Sequence, residues 1–405
     1  MKRTVIRIGD IASIGRGSSP RPISDKKYFE DGKIPWIKIA DATASGKYIY
    51  ETKEYVNELG ASYSRRMKPG TLILSASGVS LGIPHFLGVE GCIHDGWIYM
   101  DNIHDIDQQY LYYLLLTMRT YFDNLSYGAA IQNINTPILS RTKIEIPLVE
   151  CQIKISTILS MLDDLIECNV KRIKVLEEMA ENLYKEWFVR FRFPGYESYS
   201  FLSGVPEEWK LCKLENIIKI DRGLSYTSEE IEGDEGVDLI NLKNIQSYGG
   251  YRYDGTKKYN GKYKQEQVVK VGDLVMGVTD MTQDRRTVGS VAMIPIINNT
   301  SVISADLIKI TSDINTYFLY SMFKYGSVSR YISQFANGAN VLHLRPQSIN
   351  RVKVYIPTKD IIEKYSLLVQ PIFEEVNVLN EKVINLIKQR DFLLPRLMSG
   401  KLEIN

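Results

Sequence analysis

The sequence predicts an α+β chain made of two pseudo-repeated domains separated by two long helices packed as an antiparallel coiled coil. Length, an internal repeat and a long hydrophobic seam carry this reading. At 405 residues and roughly 150 residues per domain, two or three domains are expected. The repeat has a period of about 202 to 210 residues. IGDIASIGRGSS (8–19) matches LENIIKIDRGLS (214–225) at an offset of 206, pairing Ile11 with Ile217, Arg16 with Arg222 and Gly17 with Gly223. PWIKIADA (35–42) resembles DLINLKNI (238–245) at offset 203, and KPGTLIL (68–74) resembles KVGDLVM (270–276) at offset 202. YGAAIQNINTPILSRTKIEIP (127–147) resembles NGANVLHLRPQSINRVKVYIP (337–357) at offset 210. The matches stay collinear, which chance similarity does not.

A long helical stretch follows each copy. Positions spaced alternately four and three residues apart read Ile155, Leu159, Leu162, Ile166, Asn169, Ile173, Leu176, Ala180, Leu183, Trp187. Adding 210 gives Tyr365, Val369, Ile372, Val376, Leu379, Val383, Leu386, Arg390, Leu393, Leu397. Nine of ten are apolar in each set, a 3.5-residue period characteristic of a coiled-coil seam. Each helix would run about 40 residues and span roughly 60 Å. The alternative is two amphipathic helices that each pack only on their own domain. Proline and glycine at Phe193-Pro194-Gly195 close the first helix, and Ser399-Gly400 the second. FPGYESYSFLSGVPE (193–207) reads as a linker. Short strand-like runs such as TLILSAS (71–77) and SVAMIPI (290–296), with one helix before each glycine loop, make each half α+β.

Composition narrows the function classes. The apolar fraction is 44% and the charged fraction 24%, ordinary for a globular chain. Fifty basic against 48 acidic residues leave a formal charge of +2, which excludes a polycation but not a local basic groove. The four cysteines, Cys92, Cys151, Cys168 and Cys212, have no metal spacing and form no disulfide framework. No apolar run approaches the ~20 residues of a membrane span, and MKRTVIRIGDIAS lacks a signal-peptide apolar region. A cytoplasmic protein without membrane contact is expected.

Catalytic motifs are scarce. There is no Asn/Asp/Ser-Pro-Pro-aromatic tetrapeptide, no phosphate loop and no H-E-x-x-H among four histidines. Gly78-Val79-Ser80-Leu81-Gly82 matches G-x-S-x-G, but IPHFLG follows where a hydrolase elbow needs a helix. A non-catalytic binding chain with no cofactor or metal of its own is expected.

Basic residues interleave with tyrosines in YGGYRYDGTKKYNGKYKQEQ (248–267), and RGSSPRPISDKKYF (16–29) and SRRMK (64–68) are comparable. Such mixtures suit nucleic acid, since Lys and Arg neutralise phosphates while tyrosine stacks or hydrogen-bonds; for any single cluster a solvated charged face is as good a reading. The loops GAAIQNIN (128–135) and GANVLHLR (338–345) share a frame but differ in polar residues, Gln132, Asn133 and Asn135 against Asn340, His343 and Arg345. Asn and Gln can read adenine and Arg guanine, so a shared frame with different tips suits two readers of different sequences. A plain structural turn is the competing reading. The candidate DNA contacts are Arg16, Lys38, Gln132, Asn133, Arg222, Lys243, Arg285, Arg286, His343 and Arg345. Trp187 and Phe188 read as packing or partner contacts.

This layout resembles the specificity subunit of Type I restriction-modification systems. LLPRLMSGKLEI (393–404) is very similar to that family's ending, IKISTILSMLDDLIECNVKRIKVLEEMAENLYKEWF (153–188) to its central helix, and PEEWKLCKLENIIKIDRG (206–223) to its second-domain opening. One departure is Arg3, which stands where the second copy has Trp209. The resemblance implies a first target-recognition domain at 1–148, a central spacer helix at 149–192, a linker and second recognition domain at 193–358, and a C-terminal spacer helix and tail at 359–405. It implies that each domain reads half of a split site on double-stranded DNA while the helices set the gap. The partners implied are two methyltransferase subunits, which use S-adenosylmethionine and flip the target adenine, and, in a complete system, two motor-nuclease subunits that use ATP and magnesium. The alternatives are a coiled-coil adaptor that binds only protein and an enzyme with an unrecognised site near Ser80.

Overall fold

The computed structural model describes residues 3–43, 45–126, 133–297 and 299–402. The chain forms two compact units, Met1–Val170 with Glu381–Asn405, and Lys171–Asn380. Six strands form the frame of the first, β1 (Ser13–Arg16), β2 (Ile34–Ile37), β3 (Leu72–Ser75), β4 (Pro84–Leu87), β5 (Gly91–Ile93) and β6 (Trp97–Asp101). Their counterparts in the second are β7 (Lys219–Arg222), β8 (Val237–Ile240), β9 (Leu274–Gly277), β10 (Val291–Met293), β11 (Ser301–Ile303) and β12 (Leu307–Thr311).

The sheets repeat strand for strand. One has the order β1-β6-β3-β4 and its counterpart β7-β12-β9-β10; the first adds Tyr48–Ile49 at its edge. A second small sheet centres on the parallel pair β2-β5 in one unit and β8-β11 in the other. Register repeats too. Ile98 faces Arg16 on one side and Leu74 on the other; Ile308 faces Arg222 and Met276. The offsets between these positions are those of the sequence repeat. β3 and β9 are buried throughout, which explains why TLIL and DLVM lack polar alternation. The offset grows to 207 at β4 and β10, where Pro84 pairs with Leu74 and Val291 with Met276. The turn before β10 is therefore five residues longer.

Helices complete each core. The first unit uses α1 (Gln108–Thr117), capped by the Asp107 carboxylate, which accepts from the Tyr110 N–H at 2.8 Å. Then comes α2 (Val149–Tyr184), which passes into a π-helical turn at Lys185–Val189. The second unit uses α3 (Thr316–Tyr325), which α4 (Lys359–Ser399) follows. All twenty seam positions of α2, its extension and α4 are buried or half-buried, while Met161, Leu165, Val175 and Met179 on other faces are exposed. Each helix serves both units. Ile155 and Leu159 of α2 join Leu397 and Met398 of α4 in the first core. Ala180 and Tyr184 of α2 join Tyr365, Val369 and Phe373 of α4 in the second. Within the second unit, Arg172 pairs with Glu375 at 2.9 Å and Tyr184 meets Tyr365 at 6.1 Å, so the helices run antiparallel. The alternative of helices packed only on their own domains is set aside, because each core takes the start of one helix and the end of the other.

The two attachments differ in chemistry. In the first unit Lys47, 7% exposed, donates to the Tyr113 hydroxyl at 3.1 Å and to Ser160 of α2 at 2.9 Å. Tyr113 donates to Asp163, which also receives Arg390 of α4 at 3.0 Å. Burial holds the Lys47 ammonium below its ordinary pKa, partly offset by Asp163 and Asp164. The second attachment is aromatic, with Phe188, Phe318 and Tyr365 in edge contact. Trp187 and Phe188 are buried there, as packing residues. The Arg3 departure is equally concrete. Trp209 packs on Phe188 at 5.9 Å. Arg3 instead donates to the backbone oxygen of Met398, the repeat partner of Phe188, at the end of α4, where a cation complements the helix dipole.

Removing Arg390 would leave the buried Asp163 carboxylate without its hydrogen-bonded cation. Arg390→Ala should cost about 3 kcal/mol, whereas Arg172→Ala, which breaks an exposed pair, should cost under about 1 kcal/mol. Urea unfolding of both variants checks this; equal losses would contradict the buried-network reading.

Candidate nucleic-acid interface

Four chain segments in each unit converge on one backbone turn. In the first unit it is His94–Trp97. The His94 N–H donates to Ile37 O at 3.1 Å, Ala76 N–H to Gly96 O at 2.8 Å, Gly17 N–H to Trp97 O at 2.9 Å, and Ile134 N–H to Ala76 O at 2.9 Å. In the second unit the turn is Ser304–Leu307. There Ser304 donates to Ile240 at 2.9 Å, Val278 to Asp306 at 2.8 Å, Gly223 to Leu307 at 3.1 Å, and Leu344 to Val278 at 2.8 Å. Every bond has its repeat partner. The glycine loops close the same way, since Ser77 bridges Asn133 and Thr279 pairs with His343.

This convergence explains the recurring glycines. A Cβ on Gly17 would lie 2.2 Å from His94 O, and one on Gly223 2.0 Å from Ser304 O. Backbone passes too close for any side chain.

The first unit's candidates fall around this turn. Arg16 donates through Nε to Asp95 O at 2.7 Å and is exposed. Lys38 pairs with Glu54 and lies over the Trp36 ring at 4.6 Å. Asn133 sits at the bridge to Ser77; Gln132 lies outside the described residues. Burial, opposed by Asp95 and reinforced by Lys38 and Arg21, holds His94 below its ordinary pKa. Arg21, from the basic segment 16–29, pairs with Asp95, and Arg119, which motif reading passed over, donates to Val79 O at 2.9 Å; both are cations at this edge. The Gly78–Ser80 turn leads into β4 and not into a helix, so no nucleophile elbow is formed.

In the second unit His343 is exposed beside Thr279. Arg345 is exposed and makes no side-chain cap to the short helix it precedes. Arg222 is exposed at the end of β7 and lines a shallow cleft of about 300 Å³ with Pro346, Gln347 and Asn350. Lys243 is exposed on the turn that follows β8, a turn held by reciprocal Asn241 and Asn244 caps. Arg286 pairs with Asp284. Arg285 has left-handed backbone, φ +53°, and faces a cavity of about 610 Å³ with Tyr248, Ser329 and Arg330; non-glycine strain of this kind costs about 1 kcal/mol or more.

Asp280 holds that longer loop. Its carboxylate accepts from the N–H groups of Thr282 at 2.8 Å, Thr287 at 2.7 Å and Val288 at 3.3 Å. Burial alone would raise this carboxyl, but the Thr287 and Thr282 bonds outweigh it and bring it down to about 2. Sequence reading missed Asp280, although an aspartate whose carboxylate can take the backbone N–H two residues on is a turn former.

A family model described as the Type I restriction modification DNA specificity domain matches residues 2–178 and 206–389. The chain belongs to that family. The specificity subunits so named are non-catalytic components of restriction-modification complexes. The Type I restriction enzyme MjaIX specificity subunit of Methanocaldococcus jannaschii is 26% identical over 415 aligned positions, covering 99% of this chain and 93% of that protein. The MjaVIII specificity subunit of the same organism is 22% identical at the same coverage. The crystal structure of the Type I restriction-modification system S subunit from M. genitalium shares the fold, with TM-score 0.64 at 13% identity over 100% of this chain and 97% of that one. As in that family, this specificity subunit carries two recognition domains. Among its described residues no helix is long and apolar enough to cross a membrane, and no group of three or more His, Cys, Asp or Glu could hold a metal ion.

Gly17→Ala and Gly223→Ala should each destabilise by about 1–3 kcal/mol, while Gly46→Ala, with open space at its Cβ, should be near neutral; denaturant unfolding separates them. The Asp280 carboxylate is lowered in the folded state, so its stabilisation is present above about pH 3.8 and lost as pH falls toward 2. That contribution is about 2 kcal/mol. An Asp280→Asn variant should show a flatter acid-unfolding profile between pH 4 and 2; an unchanged profile would contradict the staple.

Proposed function

We propose that each recognition domain of this specificity subunit reads one half of a bipartite site on double-stranded DNA. The α2–α4 pair sets the untouched gap. The chain directs adenine methylation by two methyltransferase subunits and, where the system is complete, cleavage by two motor-nuclease subunits. S-adenosylmethionine, ATP and magnesium are used by those partners, and this chain binds DNA and protein only. The observation that carries the reading is the duplicated edge, in which an identical backbone frame presents different polar groups, Asn133 in one unit and His343 with Arg345 in the other. Identical frames place side chains at equivalent points, and different side chains there select different bases.

Co-expression with the cognate methyltransferase subunit and mapping of methylated adenines tests this. A split motif with a fixed gap is the expected result, and exchanging residues 1–148 should alter one half of it only. Inserting four residues, about one helical turn, near Lys174 should lengthen the gap; an insert that folds yet keeps the gap would remove the ruler. Arg345→Ala should relax one base position; uniform loss on all sequences would assign it to a phosphate. A stable complex that methylates nothing would overturn the reading in favour of a protein-binding adaptor.

A further inference from the structure

The two most exposed large apolar side chains among the described residues are Val79, at 91%, and Met281, at 79%. They occupy the same place in the repeat. Each lies two residues beyond the position that pairs with the glycine loop, Ser77 with Asn133 and Thr279 with His343. The 202-residue offset that aligns β3 with β9 aligns these tips also. Scattered exposed apolar residues are ordinary, but these two recur where the surrounding loops agree in neither length nor sequence.

Both tips stand on rigid backbone. In the first unit Gly78 takes φ +75°, Leu81 N–H returns to Gly78 O at 3.0 Å, Gly82 N–H to Ser75 O at 2.8 Å, and Arg119 grips the Val79 oxygen. In the second the Asp280 carboxylate fastens Thr282 and Thr287, which follow the tip, and Gln283 donates to Ala339 O of the glycine loop at 3.1 Å. An apolar side chain held out into water by a braced loop is preorganised for a contact that ordering would otherwise oppose. Polar groups accompany each tip: Arg119 on the Val79 oxygen and Asn133 opposite Ser77 in one unit, and His343 opposite Thr279, with Arg286 in the same Asp280-closed loop as Met281, in the other. On duplex DNA the apolar group accessible beside such polar readers is the thymine C5 methyl in the major groove. Any half-site methylated on adenine contains an A·T pair and therefore such a methyl.

We propose that Val79 and Met281 are specificity-determining residues, each meeting a thymine methyl of its own half-site. This rests on the DNA-reading function proposed above. The test uses the complete complex with its methyltransferase subunits and duplexes of the mapped site in which thymines are replaced singly by deoxyuridine, which lacks only the methyl. With the native chain, one replacement in each half-site should weaken binding about three- to fivefold, the worth of one buried methyl. Val79→Ala should abolish the penalty in the first domain's half alone, and Met281→Ala in the second's alone. Deoxyuridine tolerated at every thymine, or penalties unchanged in both variants, would overturn the proposal while leaving sequence-specific binding intact. A native complex that binds the mapped site no better than a duplex of unrelated sequence would instead overturn the DNA-reading function, and this inference with it. Loss of co-purification with the methyltransferase in Val79→Asp would assign the tip to the protein partner and overturn the base contact.

Discussion

A short stretch of backbone, His94–Trp97 in one unit and Ser304–Leu307 in the other, is the constraint from which both domains are organised. Strand ends carrying unrelated side chains hydrogen-bond to it or to the strand end beside it, and they do so in the same register twice. Main-chain groups carry no sequence information, so the side chains that surround the turn are free to diverge. Two glycines are the cost of this arrangement, because the β1 and β7 ends lie against carbonyl oxygens. The five extra residues before β10 show the tolerance of the design. They add a loop with its own carboxylate staple at Asp280, and the strand pairing on either side is unchanged.

The long helices solve a different problem. A seam of alternate four- and three-residue spacing needs a partner along its whole length, and each unit supplies part of that pairing from both helices. The chemistry of the two supports is unequal. The aromatic support around Tyr365 is bulky and apolar, and its stability comes from area removed from water. The Lys47–Tyr113–Asp163–Arg390 network contributes less net energy for its volume, because desolvating the charges offsets their attraction. What it adds is direction, since Asp163 satisfies Tyr113 and Arg390 only in one arrangement of domain and helix.

Much of this was legible in the sequence. The seam positions, the collinear repeat and the recurrence of Gly17 at Gly223 depend on local spacing, and local spacing survives in a linear string. The candidate residues Arg16, Asn133, Arg222 and His343 were found because the repeat aligned them. Lys47 was not legible, since a lysine beside a tyrosine reads as surface until a helix 113 residues away supplies Ser160. Arg119 was missed for the same reason; its partner is a carbonyl 40 residues earlier. The bare recurrence of Gly17 gave no hint of the oxygen it approaches. Interactions of long sequence separation are decided by the fold, and a motif cannot carry them.

The sharing of the helices has a consequence for synthesis. The core of the first domain contains Leu397 and Met398, so it stays incomplete until residue 398 has left the ribosome. The second domain draws on residues 171–380 and has all its parts earlier. The domain translated first is therefore the last to be finished, and until then Ile155 and Leu159 wait on a nascent helix whose partner has yet to be made.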